Sequence, residues 1–144
     1  MAYLLDTNIF NQLLDGRISV TNLPSGGKLT ATSIQMQEIK NTNCDFRRDG
    51  LLKIFDEIST ETVSVQSSIW GVTPWGEGRF GGQSNLYNLL LAELDAMNNA
   101  KANNYADALT AEVVLVKNQT LITADQDLAN LVETRGGKLI RFPP

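Results

Sequence analysis

Asp6, Glu38, Asp107 and Asp125 are spread over almost the whole chain, each where an apolar run meets a loop or opens a helix. Four carboxylates delivered from distant segments to one place would make an acidic pocket, and acidic pockets hold hard cations. The chain contains no histidine. That removes Ser-His-Asp hydrolysis, Cys-His proteolysis, the two-histidine zinc motifs and imidazole-type RNA cleavage. Hydrolytic chemistry must then use water activated by a metal, and an oxygen-only ligand set favours Mg²⁺ or Mn²⁺ over zinc. Such a site takes one or two carboxylates directly, keeps several waters and completes its shell with substrate oxygens. One ion or two would suit it equally.

The elements that must position these acids can be read locally. Ala2-Tyr3-Leu4-Leu5-Asp6 is a short apolar run closed by a carboxylate, and Ile9, Phe10, Leu13 and Leu14 follow at helical spacing. This predicts a buried strand feeding a helix, with Asp6 at the strand's carboxyl end, where open α/β sheets place their ligands. Leu29 to Ala31 is a second strand-like stretch, Thr32-Ser33 offers a helix cap, and Ile34, Met36 and Ile39 begin a helix that carries Glu38 in its first turns. Asn103-Asn104-Tyr105 leads into Ala106-Asp107-Ala108-Leu109, so Asp107 falls at a helix start. Thr120-Leu121-Ile122-Thr123 is a β-prone tetrad that ends at Ala124-Asp125, followed by a helix from Asp127 to Glu133.

Each acid taken singly has an ordinary explanation. Aspartate at a helix N-cap or first turn satisfies orphan amides and the macrodipole, worth roughly 0.5 to 2 kcal/mol without any chemistry. The joint pattern is harder to explain that way. A fold that gathers three or four strand-end acids loses stability to like-charge repulsion unless a cation or a proton intervenes.

The rest of the chain reads as scaffold. Asp45 to Ile58 is a helix with Leu51, Leu52, Ile54, Phe55 and Ile58 inward. Thr62-Val63-Ser64-Val65 alternates as a short strand, and Asn85 to Met97 is an amphipathic helix with Leu86, Leu89, Leu90, Leu94 and Met97 on one side. Strands alternate with helices throughout, which predicts a three-layer α/β/α sandwich around a mainly parallel sheet. At 144 residues with no internal repeat or linker, the chain is expected to form one domain. Met1 leads straight into the first strand, no apolar run approaches a membrane span, and the single Cys44 suits a reducing compartment. The expectation is a cytoplasmic protein whose fold begins at its first residue. Cys44, between Asn43 and Asp45, reads as a loop or cap residue, since no histidine is present to activate it.

The net charge of −4 argues against a strongly basic nucleic-acid binder, so phosphate contacts must come from local patches. Lys40, Arg47, Arg48 and Lys53 cluster in one stretch, either as such a patch or as a solvated helix face. Trp75, Arg79 and Phe80 lie in a glycine-rich stretch, Trp70 to Gly82, and combine flat rings with a cation, as base-stacking surfaces do. A lid, a dimer contact or an inhibitor-binding surface would also suit that stretch. Glu93 and Asp95 read as surface acids, although Asp95 could approach the pocket, and Asp127 reads as a helix cap or an outer partner of the site.

Four motifs in order, Leu4-Leu5-Asp6-Thr7-Asn8, Thr32-Ser33-Ile34-Gln35-Met36-Gln37-Glu38-Ile39, Ala106-Asp107-Ala108-Leu109 and Leu121-Ile122-Thr123-Ala124-Asp125-Gln126-Asp127-Leu128, resemble those of PIN-domain proteins of the VapC-like type. Gly136-Gly137-Lys138-Leu139-Ile140 is similar to the last edge strand of that family, so the resemblance runs over nearly the full chain. It implies a single PIN-like nuclease domain over residues 1–144, in which Asp6, Glu38, Asp107 and Asp125 hold Mg²⁺ or Mn²⁺ and cut single-stranded RNA. In that assignment Asp6 and Asp107 are direct ligands, and Asp125 or Glu38 orients the attacking water. It further implies a homodimeric toxin silenced by a cognate antitoxin. Three features depart from the pattern. Gln35 stands where Thr or Ser is usual, Glu112 stands where small residues are common and is expected to face solvent or a subunit contact, and the Trp70–Gly82 stretch has no counterpart. A non-catalytic PIN-like interaction module, or a PIN nuclease that processes RNA or acts on DNA, remain as alternatives. A phosphoacceptor receiver needs an acidic pair where Leu5-Asp6 stands, and a haloacid-dehalogenase-like phosphatase needs an acid at Asn8.

Overall fold

The computed structural model describes residues 2–58, 61–63, 85–102 and 104–142. Five strands form one sheet: β1 (Ala2–Leu5), β2 (Lys28–Thr32), β3 (Glu61–Val63), β4 (Thr120–Thr123) and β5 (Lys138–Arg141). Their order is β3-β2-β1-β4-β5 and every pairing is parallel. Among the described residues six α-helices connect them: α1 (Thr7–Leu14), α2 (Ser33–Lys40), α3 (Asp45–Glu57), α4 (Asn85–Asn98), α5 (Asn104–Val116) and α6 (Gln126–Thr134).

The continuous apolar runs of β1 and β4 follow from burial on both faces, as parallel sheets require. Leu4 and Leu121 point to a layer built from α4, α5 and α6, whereas Leu5 and Ile122 point to α1, α2 and α3. All four are fully buried, which stabilises the fold by roughly 1.5 to 3 kcal/mol per side chain. The three-layer α/β/α architecture expected from the alternation of elements is therefore present. No helix among the described residues is long and apolar enough to cross a membrane.

Strand order creates the feature that matters for function. The chain leaves β1 towards β2 through α1 and leaves β4 towards β5 through α6, so β1 and β4 are neighbours whose connections run to opposite sides. Such a switch point opens a crevice at the carboxyl ends of the strands. The Asp6 backbone N–H extends the β1–β4 ladder by one bond, to the Ile122 carbonyl at 2.9 Å.

Two sequence expectations need correction. In α4 the inward stripe is Tyr87, Leu90 and Leu94, whereas Leu89 and Met97 are exposed, because packing against both α5 and α6 selects the line that carries the tyrosine ring. Glu112 is 1 % exposed and does not face solvent. It lies on α5, which is wedged between α4 and α6 above Leu4 and Leu121, so nearly every side of that helix is covered. The basic cluster takes the second of the two readings offered for it, a solvated helix face, on which Arg47 pairs with Asp15, Arg48 with Asp45 and Asp49, and Lys53 with Glu57 at the surface. Glu93 meets Arg135 at the surface. Cys44 takes the exposed N-cap position of α3. Ser64, Val65 and the Trp70–Gly82 stretch lie outside the described residues.

Helix α6 ends in a Schellman cap, in which Gly136 N–H meets the Glu133 carbonyl at 3.0 Å and Gly137 N–H meets the Val132 carbonyl at 2.9 Å. Gly136 has φ +77°, which an L side chain adopts only with strain. Gly136→Ala is expected to lower stability by about 1 kcal/mol with the site geometry intact. A thermal melt that does not shift would refute this account of the turn.

Candidate active site

A cleft of about 380 Å³ opens at the switch point and is lined by Asp6, Glu38, Asp107, Asp125 and Asp127, together with Thr7, Asn8, Asn11, Gln35, Asn98, Lys101, Asn104, Ala106 and Thr110. The four acids singled out in the sequence thus share one cavity. They reach it from four directions: the end of β1, the second turn of α2, the first turn of α5 and the loop after β4.

Asp6 is held most firmly. Its Oδ1 accepts the Thr7 N–H at 2.8 Å, capping α1, and its Oδ2 accepts the Thr123 hydroxyl at 2.7 Å. The same Thr123 oxygen accepts the Asp125 N–H at 2.9 Å, so one hydroxyl ties the acids of neighbouring strands together. Asn8 adds a second stitch, its Oδ1 accepting the Ala124 N–H at 3.2 Å. Asp125 caps α6 through Oδ1, which accepts the N–H groups of Asp127 and Leu128 at 2.9 and 3.1 Å. The ordinary structural role of these two aspartates is therefore real, yet a capped carboxylate keeps further lone pairs for a ligand.

Gln35, the departure from the expected Thr or Ser, forms a capping box at the head of α2. Its Oε1 accepts the Thr32 N–H at 2.7 Å while its own N–H donates to Thr32 Oγ1 at 3.2 Å. Its Nε2 reaches across to the Leu5 carbonyl at 2.8 Å, so the buried amide locks the helix carrying Glu38 to the strand carrying Asp6. A threonine is too short to span both groups.

Burial and shared charge raise the pKa of three of these acids. Burial pushes the Asp107 carboxyl up to about 8, and the nearby charges of Asp6, Asp125, Glu38 and Asp127 add to the rise. Glu38 has solvent-exposed surface at the rim, but the protein crowding its carboxyl, and then Asp6, lift it to about 7. Asp6 is also raised, because its burial outweighs the hydrogen bonds from Thr123 and Thr7. Like charges that cannot all ionise are the signature of a cation or proton site. Among the described residues no three acids stand close enough together to hold a metal ion between them. An open arrangement suits Mg²⁺, which keeps several waters and binds few carboxylates directly.

Asp127 lines the cleft and accepts from Asn98 Nδ2 at 3.3 Å. Asp95 stays behind the wall, where it accepts from Asn104 Nδ2 at 2.7 Å. Sequence reading missed Thr123, Lys101 and the asparagines. Thr123 was signalled by its place two residues before Asp125, at a strand end. The asparagines and Lys101 sit in a polar run, 98–104, with no apolar period to orient them.

No protein-family model matches the sequence, and no curated protein matches it. Among solved structures, a chain of VapBC2 from Rickettsia felis, bound to a DNA fragment from their promoter, superposes with TM-score 0.57 at 17% identity over 98% of both chains. A chain of VapBC-1 from nontypeable Haemophilus influenzae does so with TM-score 0.56 at 16% identity over 100% of both. A domain of a functionally unknown protein from Methanocaldococcus jannaschii matches with TM-score 0.57 at 15% identity, covering 99% of this chain and 91% of that one. At these identities the likeness is one of architecture: the chain has the three-layer PIN-like α/β/α fold, in the form shared with these VapBC chains.

Proposed function

We propose that the protein is a metal-dependent endoribonuclease of the VapC-like PIN type, cutting single-stranded RNA as the toxin of a type II toxin–antitoxin pair. The observation that carries this reading is the convergence of Asp6, Glu38, Asp107 and Asp125 on one switch-point cleft, where Asp107 feels the charge of the other three. The likeness in fold to the VapBC chains supports the toxin assignment, and with it a cognate antitoxin as partner. A homodimer in the cytoplasm completes the proposal.

The donor set fits the proposed cation. Every charged group in the cleft able to ligate a cation is a carboxylate, the chain has no histidine, and its single thiol, Cys44, lies on the exposed start of α3. Hard oxygen ligands select Mg²⁺ or Mn²⁺. A bound ion would lower the pKa of a water and offset charge on the scissile phosphate. Asp6 and Asp107 are assigned as direct ligands. Thr123 keeps the Asp6 carboxylate aimed into the cleft. Asp125 or Glu38 orients the attacking water and accepts its proton as the new P–O bond forms and the bond to the departing ribose oxygen breaks.

Because Asp6 and Asp125 also cap helices, a non-catalytic interaction module is the second reading. Cleavage of labelled single-stranded RNA with Mg²⁺ or Mn²⁺ separates the two. The nuclease reading expects wild-type cleavage, its loss with a chelator, and a drop of about 100-fold or more in Asp6→Asn. Equal cleavage by the variant sinks it. DNA of the same sequence, run alongside, distinguishes RNA from DNA as substrate.

The raised carboxyls also predict a pH dependence of stability. Unfolded Asp and Glu ionise near pH 4, whereas folded Asp107 and Glu38 hold their protons to about 8 and 7. Between those limits the native state binds more protons, so metal-free stability falls as pH rises from about 4 to 8. Asp107→Asn removes a charge that burial opposes and is expected to stabilise the chelated protein at pH 8 by on the order of 2 kcal/mol, with a smaller gain at pH 5. Mg²⁺ should stabilise wild type at pH 8 and leave the variant nearly unmoved. Denaturant melts at both pH values check this. A wild type equally stable at pH 5 and pH 8 in chelator would contradict it.

A further inference from the structure

Five carboxylates line the cleft, and Lys101 is the one cation among its described lining residues. Among the described residues neither Lys101 nor any of those five acids takes part in an ion pair. The lysine side chain is exposed. Of the patch the sequence offered for phosphate contact, Lys40, Arg47, Arg48 and Lys53, the last three are by contrast neutralised by neighbouring acids, and Lys40 is not among the residues that line the cleft.

The turn that presents Lys101 is built with unusual care for so short a connection. Its N–H donates to Asn98 Oδ1 at 3.3 Å, and its carbonyl accepts the Asn104 N–H at 3.1 Å. The two asparagine amides bond to each other in both directions, at 3.0 and 2.8 Å, which closes the end of α4 onto the start of α5. Asn104 is 2 % exposed and is backed by Asp95, while Asn98 also holds Asp127. Asn99 and Ala100 both take left-handed backbone conformations, φ 58° each, without being glycine. Strain of this kind in an over-determined turn is characteristic of segments that position something.

A polyanion approaching an acid-lined cleft is repelled, and a cation among the acids offsets that repulsion only close by, since charges are screened beyond about 8 to 10 Å. A second positive point at the edge of the cleft is needed to seat the adjoining backbone. We propose that Lys101, held by the Asn98–Asn104 amide pair, binds a phosphate of single-stranded RNA flanking the one that is cut. The proposal rests on the nuclease reading above. An ammonium is a compact point charge that suits phosphate without base preference, so its contribution is to affinity and not to sequence choice.

The test compares wild type, Lys101→Ala, Lys101→Arg and the distal charge control Lys53→Ala. Initial rates of cleavage of a fluorescein-labelled single-stranded RNA of mixed sequence are measured in Mg²⁺ from 50 to 300 mM KCl. Lys101→Ala is expected to raise KM about 5- to 10-fold with kcat within about twofold, and to flatten the salt dependence of log KM by about 0.7, one phosphate contact on a single strand. Lys101→Arg should retain most of the affinity, and Lys53→Ala should match wild type. Asn98→Ala, which frees the turn, should raise KM in the same direction. If wild type cleaves and Lys101→Ala keeps its KM and salt slope, or loses kcat instead, the assignment of Lys101 is wrong and the nuclease reading stands. If wild type does not cleave the RNA, both fall together.

Discussion

The structure depends on a crowding of negative charge that it cannot relieve by itself. Asp6, Glu38, Asp107, Asp125 and Asp127 surround one cleft, where burial and mutual repulsion make Glu38 and Asp107 keep their protons to about 7 and 8 and raise Asp6 as well. A protein selected only for stability would replace such groups with amides or apolar side chains, because an opposed buried charge costs several kcal/mol. Here instead the surroundings hold the acids in place. Thr123 donates to Asp6, the α1 and α6 amides receive Asp6 and Asp125, and Gln35 ties the Glu38 helix to β1. Every one of these bonds fixes an acid, and none of them neutralises its charge.

Much of this could be read in the sequence, for reasons tied to particular residues. Leu4-Leu5-Asp6 and Leu121-Ile122-Thr123 are apolar on consecutive positions because both faces of a central parallel strand are buried. An acid just beyond each run therefore had to lie at the sheet's carboxyl edge. The caps at Thr32, Asp6 and Asp125 followed from residue type alone. What could not be read was whatever depends on the third dimension. Glu112 was placed at the surface because charge usually marks solvent, yet α5 is enclosed by two helices and the sheet. Leu89 and Tyr87 fit the α4 stripe about equally by spacing, and only the packing partners choose between them. Gln35 showed in sequence as an exception, but that its amide would reach Leu5 across 30 positions left no local trace.

The amide-rich connection between α4 and α5 shows where sequence rules are weakest. A run of asparagines with one lysine has the composition of an unstructured surface loop. In the folded chain the same residues close on one another, and Asn104 is buried. Composition describes which bonds such residues are able to make. Geometry decides whether they make them with water or with each other.

The pairing of β1 with β4 has a consequence for biosynthesis. β1 leaves the ribosome well before β4, since one of its two neighbours and the hydroxyl that holds Asp6 come more than a hundred residues later. Until then the nascent chain carries Asp6 and Glu38 on a half-formed sheet whose inner edge is still open. The cleft therefore does not exist on a partly translated chain. Asp6 and Glu38 thus meet the charges of Asp107 and Asp125 only once the strand whose hydroxyl holds Asp6 is there to pair with β1.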